Sequence, residues 1–266
     1  MLPLNLSTTA LFLCALASSA SAALLLDPSA GTVRLSNTVG DSNKDDGVYH
    51  SSYYLSDDFF GSPLMNPFVT VSINGHIRFG NGDGDGDYFL QPLGNNAINR
   101  VAPMWADFNL GTSGQIVDEV GSSYYAVSWL NLENAENPGT VANLQAIFIE
   151  GDTTLNGNAF QAGDIVFSYG EISIYPAISE VIIGLESENG DTATLPGHEV
   201  YGGWHSYDVF GDFPVGENQY ALFRPDGLGS YSVSIQDMAA IPEPATYAAV
   251  FGGLALAGAA LRRRRA

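Results

Sequence analysis

An acidic, glycine-spaced run is the part of the sequence whose residue types best suit a chemical task. Oxygen-bearing side chains stand at every second position, with glycine between them: Asn81, Asp83, Asp85 and Asp87. Oxygens at positions 1, 3 and 5 with glycine at position 6 match the first half of a calcium-binding loop. Position 12 is Pro92 rather than a bidentate Glu, and Asp and Gly also favour a solvated hairpin turn. A calcium site and a plain turn therefore remain as alternatives.

The other polar candidates give weaker patterns. The turn at residues 41–47 is similar, but its glycine falls at position 7 and Lys44 adds a competing charge, so we predict a loop. The histidines form no H-E-x-x-H zinc motif: they are His50, His76, His198 and His205. The sequence also lacks a G-x-S-x-G nucleophile elbow and a glycine-rich phosphate loop with Lys. These motifs therefore support no catalytic class.

Glycoside hydrolysis needs no sequence motif, only two carboxylates a few ångströms apart. The acids on or beside predicted strands are the better candidates for such a pair: Glu171, Glu180 and Glu186. Surface solvation is the usual role of a Glu, and we expect it for each of them. A polysaccharide-active enzyme on a β scaffold stays as the alternative function.

The first 22 residues have the pattern of a secretory signal peptide. An apolar core at residues 10–17 is followed by Ala20, Ser21 and Ala22, which form an A-x-A cleavage site. The core is too short to span a bilayer, and the segment before it departs from the usual pattern by lacking Lys and Arg. Cys14, the only cysteine, lies in this core, so cleavage leaves a chain without a thiol.

The C-terminus carries a second membrane-related pattern. Residues 245–261 contain no charged side chain, and as a helix they would be about 25 Å long, short but sufficient for a single transmembrane span. Four basic residues follow and would stay cytoplasmic by the positive-inside rule: Arg262, Arg263, Arg264 and Arg265. The preceding domain then lies on the exported side, in agreement with the signal peptide.

Pro242, Glu243 and Pro244 stand just before this helix. The two prolines keep the segment extended and outside the helix, where a processing enzyme can reach it. The Pro-Glu-Pro motif, the apolar helix and the terminal arginines together resemble the PEP-CTERM sorting signal of Gram-negative bacteria, over residues 242–266. The resemblance implies recognition by an exosortase, removal of the tail, and association with exopolysaccharide, biofilm or floc matrices.

Between these end signals the chain is strongly acidic. Residues 23–241 hold 28 of the 29 acidic side chains and five of the nine basic ones, a net charge of −23. Nucleic-acid binding needs a basic face and is excluded, and binding to anionic lipid is disfavoured for the same reason. Such a charge favours solubility and invites divalent cations.

The middle of the chain predicts an all-β fold. Val69, Val71 and Ile73 alternate with polar residues, Asn74-Gly75 marks a turn, and residues 76–79 alternate again, which is the clearest hairpin signal in the chain. Further predicted strands are 124–130, 143–150, 164–169, 180–185, 219–223 and 230–235. Many short antiparallel strands with polar turns indicate a sandwich-like or barrel-like domain at 23–241. We expect a long surface connection over 197–217.

An ordered set of short strings runs through this middle part: Asp45-Asp46-Gly47, Phe59-Phe60-Gly61, the hairpin at 71–79, APMWAD at 102–107, AVSW at 126–129 and YGEI at 169–172. Their order and spacing are similar to the NIDO domain, the extracellular module of nidogen, tectorin and some mucins, over about 45–200. Met104 stands where an aromatic is more typical, and 151–163 is longer than expected. The resemblance implies an adhesive or matrix-associated role without catalysis and transfers no site residue. Trp105 and Trp129 are predicted to be core residues, with a sugar-stacking platform as the alternative.

These patterns together predict an exported, surface-sorted, non-catalytic protein that contributes to extracellular matrix, adhesion or exopolysaccharide association. Its expected location is the inner membrane of a Gram-negative bacterium before processing, and the cell surface or extracellular space afterwards. Its expected partners are signal peptidase and exosortase during export, the membrane through the 245–261 helix, and exopolysaccharide or matrix proteins at the surface. Calcium is the one cofactor that the residues suggest.

Overall fold

The computed structural model describes residues 23–39, 44–55, 58–80, 93–94, 98–173, 180–196, 199–201, 204–208, 213, 215–216 and 218–239. Over these residues the chain is all-β with antiparallel pairing, as the sequence predicts. A single 3-10 turn, Pro28–Ala30, is the exception among them. No helix within this described part is long and apolar enough to cross a membrane. The predicted signal peptide at 1–22 and the predicted helix at 245–261 lie outside it.

The first sheet contains eight strands. Their bounds are β1 Thr32–Ser36, β6 Phe108–Asn109, β7 Gln115–Val120, β8 Tyr124–Asn134, β9 Asn137–Ile149, β12 Ile165–Ile172, β17 Gln219–Pro225 and β18 Tyr231–Asp237. They are ordered β1-β7-β8-β9-β12-β17-β18, and β6 pairs with the far end of β8. The edges of the first sheet are therefore β1 and β18.

The second sheet also contains eight strands. Their bounds are β2 Val48–Tyr54, β3 Phe68–Ser72, β4 His76–Phe79, β5 Arg100–Trp105, β13 Glu180–Glu186, β14 Thr192–Thr194, β15 Glu199–Tyr201 and β16 Trp204–Asp208. They are ordered β15-β16-β13-β5-β4-β3-β2, and β14 pairs with β13. A separate hairpin is formed by β10 Thr153–Leu155 and β11 Asn158–Phe160.

One apolar core joins the two sheets. Alternate residues of β3 and β4, such as Val71 and Ile77, belong to the same buried cluster as Leu144 and Phe167 of the first sheet. This follows from the period of two in a strand, which sends every second side chain to one face. Hydrogen bonds also cross between the sheets: for example, Trp129 Nε1 donates to Ser72 O at 2.8 Å, and Tyr169 OH donates to Pro103 O at 2.6 Å.

The predicted hairpin at residues 69–79 is confirmed. Ser72 pairs with His76, and the three turn residues between them end in Gly75, whose φ of 72° is left-handed. A Cβ at Gly75 would lie 2.0 Å from Met104 O of the neighbouring strand β5, so only glycine fits. All six further predicted strands coincide with observed strands, although β8 and β9 are several residues longer.

The expected surface connection at 197–217 is wrong in part. Its described residues include the strands Glu199–Tyr201 and Trp204–Asp208, which pair with each other and extend the second sheet beyond β13. Aromatic and charged residues alternate too irregularly here for the period of two to be visible in the sequence.

Candidate functional site

A narrow crevice of ≈ 20 Å³, roughly the room that one water molecule needs, opens at the end of the sheets where β17 turns into β18. Aromatic and aliphatic side chains form its floor, among them Phe59, Phe79, Phe148 and Tyr231. The acidic residues Asp58 and Asp164 also belong to its lining. Small-ligand sites combine a concave apolar surface with a few polar groups in this way. The crevice, together with the wider depression that continues from it, is therefore the candidate binding site of the described domain.

Phe59 lies at the centre of the aromatic floor and contacts three other rings. Its ring centroid lies 5.0 Å from that of Phe60, 5.2 Å from Phe79 and 6.0 Å from Tyr231. The first two pairs are edge-to-face, the arrangement that aromatic rings prefer. All four side chains are less than 9% exposed, so the floor is packed before any ligand arrives.

The loop that carries Phe59 has an unusual backbone. Phe59 and Ser62 exchange two hydrogen bonds of 2.9 and 3.1 Å, while Phe60 and Gly61 adopt φ values of 51° and 70°. A left-handed conformation at a bulky aromatic residue costs conformational energy and is held in place by its surroundings. A Cβ at Gly61 would lie 2.8 Å from Gly229 Cα, so this loop and the β17–β18 turn meet through glycine.

Asp164 forms part of the crevice wall but is fully engaged. Its two carboxylate oxygens accept hydrogen bonds from Arg224 Nε at 2.8 Å and Arg224 Nη2 at 2.6 Å, and Oδ2 also accepts from Gln161 N at 2.9 Å. The hydrogen bond with Asp164 raises the pKa of Arg224. Such a bidentate pair positions the wall rigidly and gives Asp164 a structural role.

A wider, open depression continues from the crevice. Glycines contribute much of its lining: Gly61, Gly163, Gly227 and Gly229. Leu228 stands between the last two and is 91% exposed, while Asp58 and Tyr231 belong to both the crevice and the depression. Glycines leave backbone N–H and C=O groups open to a ligand, so this surface offers hydrogen bonds beside an exposed apolar side chain.

A buried ion pair lies on the outer face of the second sheet. Arg100 Nη1 is 3.4 Å from Glu186 Oε2, and the two side chains are 1% and 0% exposed. The Arg100 guanidinium carbon is 4.0 Å from the centre of the Trp105 ring, and Gly94 N donates to Glu186 Oε1 at 2.9 Å. The expectation that Glu186 is solvated is therefore wrong, because Arg100 and the backbone at Gly94 cover it.

His76 belongs to the same buried layer. Its ring lies 5.0 Å from the Trp105 ring. Burial lowers the pKa of His76 well below its ordinary value, and the charges of Arg100 and Arg78 lower the pKa further. His76 is therefore neutral at physiological pH and is unsuited to act as a general acid there.

A second buried polar group ties the edges of the two sheets together. Asp118 accepts from Arg34 Nε at 2.7 Å and from Tyr125 OH at 3.5 Å, and the hydroxyls of Tyr49 and Tyr125 are 3.3 Å apart. Tyr53 stacks on Tyr125 with ring centroids 4.2 Å apart. Burial is the main reason why the pKa of Tyr125 rises to about 12, so these hydroxyls stay protonated and serve as structural donors.

Acidic side chains gather where the 41–47 turn meets β6. Burial raises the pKa of Asp107, and repulsion from Asp45, Asp46 and Glu136 raises it further. Asp46 Oδ1 accepts from Asn74 Nδ2 at 3.1 Å, which anchors the turn to the β3–β4 hairpin. Among the described residues no group of three or more His, Cys, Asp or Glu side chains could hold a metal ion. The described part of this turn is thus consistent with a loop.

The proposed calcium ligands Asn81, Asp83, Asp85 and Asp87 lie outside the described residues, as do all the proposed sorting residues. His198 also lies outside, while His205 is in β16. His50 Nδ1 is 3.0 Å from Thr70 Oγ1, and the Glu171 side chain is exposed. Glu180 begins β13. The prediction that Trp105 and Trp129 are core residues is confirmed, since both are 0% exposed.

The sequence did not predict the crevice. Its residues come from five separate parts of the chain, so no local spacing reveals it. The nearest local signal is Leu228, a large apolar residue between two glycines, which lines the adjoining depression. No family model, curated protein or solved structure matches this chain.

Proposed function

We propose that this chain is an exported, surface-sorted, non-catalytic module that contributes to an extracellular matrix through adhesion or exopolysaccharide contact. The signal-peptide pattern at 1–22 and the sorting pattern at 242–266 support export and surface sorting. The finer fold in this proposal is a β-sandwich, supported by two antiparallel sheets that share one core.

The position of the crevice relative to the two ends of the domain carries the proposal. Met238 N donates to Asn218 O at the start of β17, whereas the crevice lies where β17 ends at Pro225 and β18 begins at Tyr231. Strand β17 between these points spans roughly 20 Å. The N-terminal segment docks near the same start, because Leu25 N donates to Ser168 Oγ and Ser168 pairs with Tyr220. A domain tethered at its termini would thus present the crevice away from the membrane.

The chemistry of the crevice suits a sugar chain. A sugar presents C–H faces to apolar surfaces and hydroxyl groups to backbone amides, carbonyls and carboxylates. The exposed Leu228 and the narrow accessible edge of the floor around Phe59 supply the first kind of contact. Asp58 and the glycine-lined depression supply the second kind.

A polysaccharide-active enzyme is the second candidate, and one observation favours it. Asp58 and Asp164 line the same crevice, and glycosidases work with a pair of carboxylates. Asp164 already accepts two hydrogen bonds from Arg224 and one from Gln161 N, so its oxygens are committed to structural partners. The non-catalytic function therefore stands first.

Binding and hydrolysis can be measured on the same purified chain. We expect it to bind exopolysaccharide from its own host in titration calorimetry, and Asp58→Asn to weaken binding at least tenfold. Glu188→Gln, at an exposed position in the turn between β13 and β14, is the matched control and should bind normally. Release of new reducing ends by the wild type, lost in Asp58→Asn, would establish the enzyme instead. Absence of both binding and hydrolysis would reject the crevice as a glycan site.

A further inference from the structure

Both ends of the described domain meet on the outer face of the first sheet. At the N-terminal end, Leu25 N donates to Ser168 Oγ at 2.7 Å and Leu26 N donates to Gln145 Oε1 at 3.0 Å. Gln145 Nε2 donates back to Leu26 O at 3.3 Å. Side chains of β9 and β12 therefore bind the backbone of this segment, although no ladder of the sheet includes it.

The β10–β11 hairpin contacts both ends at once. Asn156 Nδ2 donates to Leu25 O, and Asn158 Oδ1 accepts a hydrogen bond from Ala239 N at 3.0 Å. The turn between these asparagines is built for a hairpin, since Asn156 and Gly157 have φ values of 46° and 82°. This hairpin comes from the segment 151–163, which the sequence showed to be longer than the NIDO pattern expects.

Apolar packing reinforces the contact. Leu25 is 1% exposed and belongs to a second buried cluster that includes Leu155, Phe160 and Tyr220. Leu26 and Met238 pack against the same cluster from its margin. Removing a leucine side chain from water is favourable, so the buried Leu25 is a substantial anchor.

We propose that this face is an intramolecular peptide-binding site, which takes the residues Ala23–Leu26 and thereby fixes the stem of the C-terminal tail, Met238 and Ala239. The site recognises a leucine side chain and two backbone amides. When the N-terminal segment occupies this site, the β10–β11 hairpin also holds the stem in place. Asn156 binds the N-terminal segment, Asn158 binds the stem, and only Gly157 separates the two asparagines.

The consequence for sorting rests on the proposed function. Leu25 lies only three residues after Ala22, the last residue of the predicted signal peptide. This segment cannot be extended in a peptidase and docked on the sheet at the same time. Docking therefore cannot coincide with cleavage, and the stem of the tail is not fixed while a peptidase holds this segment.

Hydrogen exchange on the exported chain tests the coupling. Leu25→Asp removes the anchor, and Leu24→Asp is the matched control, because Leu24 is partly exposed and lies outside the cluster. We expect the Met238 and Ala239 amides to exchange at least tenfold faster in Leu25→Asp and at the wild-type rate in Leu24→Asp. Unchanged exchange at those two amides, with Leu25 and Leu26 freed, would overturn the proposal.

Two further measurements keep the outcome unambiguous. If the amides of the β3–β4 hairpin also lose protection, Leu25→Asp has unfolded the domain. Asn156→Ala then replaces Leu25→Asp as the test, and Asn189→Ala, at an exposed position, is its control. Asn156→Ala should then accelerate exchange at Ala239, and an unchanged rate would refute the coupling. Mass spectrometry of the same samples shows whether the signal peptide and the tail have been removed. If both remain and the Met238 and Ala239 amides still respond to Leu25→Asp, the proposed function is contradicted and this inference stands. If both have been removed and these amides do not respond, this inference is contradicted and the proposed function stands.

Discussion

Asp164 and Arg224 form a two-pronged ion pair that joins the start of β12 to the end of β17, behind the crevice. The Asp164 carboxylate is fully buried, while the Arg224 side chain is 36% exposed. The pair therefore brings a charge into the protein at the position that shapes the crevice wall. Its removal should affect both the stability of the domain and the binding of ligand.

Replacement of Arg224 should destabilise the fold. Arg224→Ala leaves the Asp164 carboxylate buried without its partner, and we expect a loss of about 3 kcal/mol in the free energy of unfolding. Arg224→Lys restores a charge but not the fork geometry, so it should lose less. Urea denaturation of the three proteins measures these differences. Equal stability of Arg224→Ala and the wild type would show that the pair is dispensable.

Two glycines with positive φ should respond differently to alanine. Gly75 has a φ of 72° and would place a Cβ 2.0 Å from Met104 O, whereas Gly139 has a φ of 89° and no atom within 4 Å of that position. Gly139→Ala should therefore cost about 1 kcal/mol from backbone strain alone. Gly75→Ala should cost several times more, or prevent folding, because β4 and β5 must separate. The melting temperatures of the two variants measure this difference. Equal decreases in Gly75→Ala and Gly139→Ala would contradict the close approach of Gly75 to Met104.

The fold should lose stability as the pH falls below about 6.5, the ordinary pKa of His. His76 has a lowered pKa in the folded state, so the unfolded chain takes up a proton that the folded chain does not. Stability therefore declines by up to about 1.4 kcal/mol per pH unit below that point.

Denaturation between pH 5 and pH 8 tests this dependence. His76→Phe should flatten the decline, and the exposed His50→Gln should keep it. Asp45 and Asp107 have raised pKa values and therefore act in the opposite direction, in a lower pH range where carboxylates titrate. A decline of the same slope in His76→Phe would assign the effect to other groups.

Calcium should bind at the acidic run if that run is a site rather than a turn. Calorimetry of chelator-treated protein should then show heat and a raised melting temperature at millimolar calcium. A variant with Asp83→Asn and Asp85→Asn should lose both signals, because it removes ligand charge. Asp152→Asn, in the separate loop before β10, is the control. Absence of heat and of a melting shift in the wild type would leave the turn as the correct interpretation.

Strands could be predicted where apolar and polar residues alternate along the chain. Strands that lack this alternation were harder to predict. The hairpin of β3 and β4 follows from alternation around Asn74-Gly75. Strand β5 is buried on both faces and contains Pro103, so it shows no alternation. Its register with β13 shifts between Ile182 and Gly184, which accommodates the proline in a bulge.

The candidate site was harder to predict than the fold. Its floor combines Phe59, Phe148 and Tyr231, which are far apart in the sequence and meet only in the folded domain. Glu186 was equally hard to predict, because the residues next to it in the sequence do not indicate that it is buried against Arg100. Contacts between distant residues create both features, and a single sequence carries no direct record of them.

The termini of the mature protein test the central claim most directly. We expect mass spectrometry of protein recovered from the cell surface or medium to find an N-terminus at Ala23 and a C-terminus near Pro242 to Pro244, without the four terminal arginines. A chain recovered from the cytoplasm with residues 1–22 and 242–266 still attached would contradict export and surface sorting.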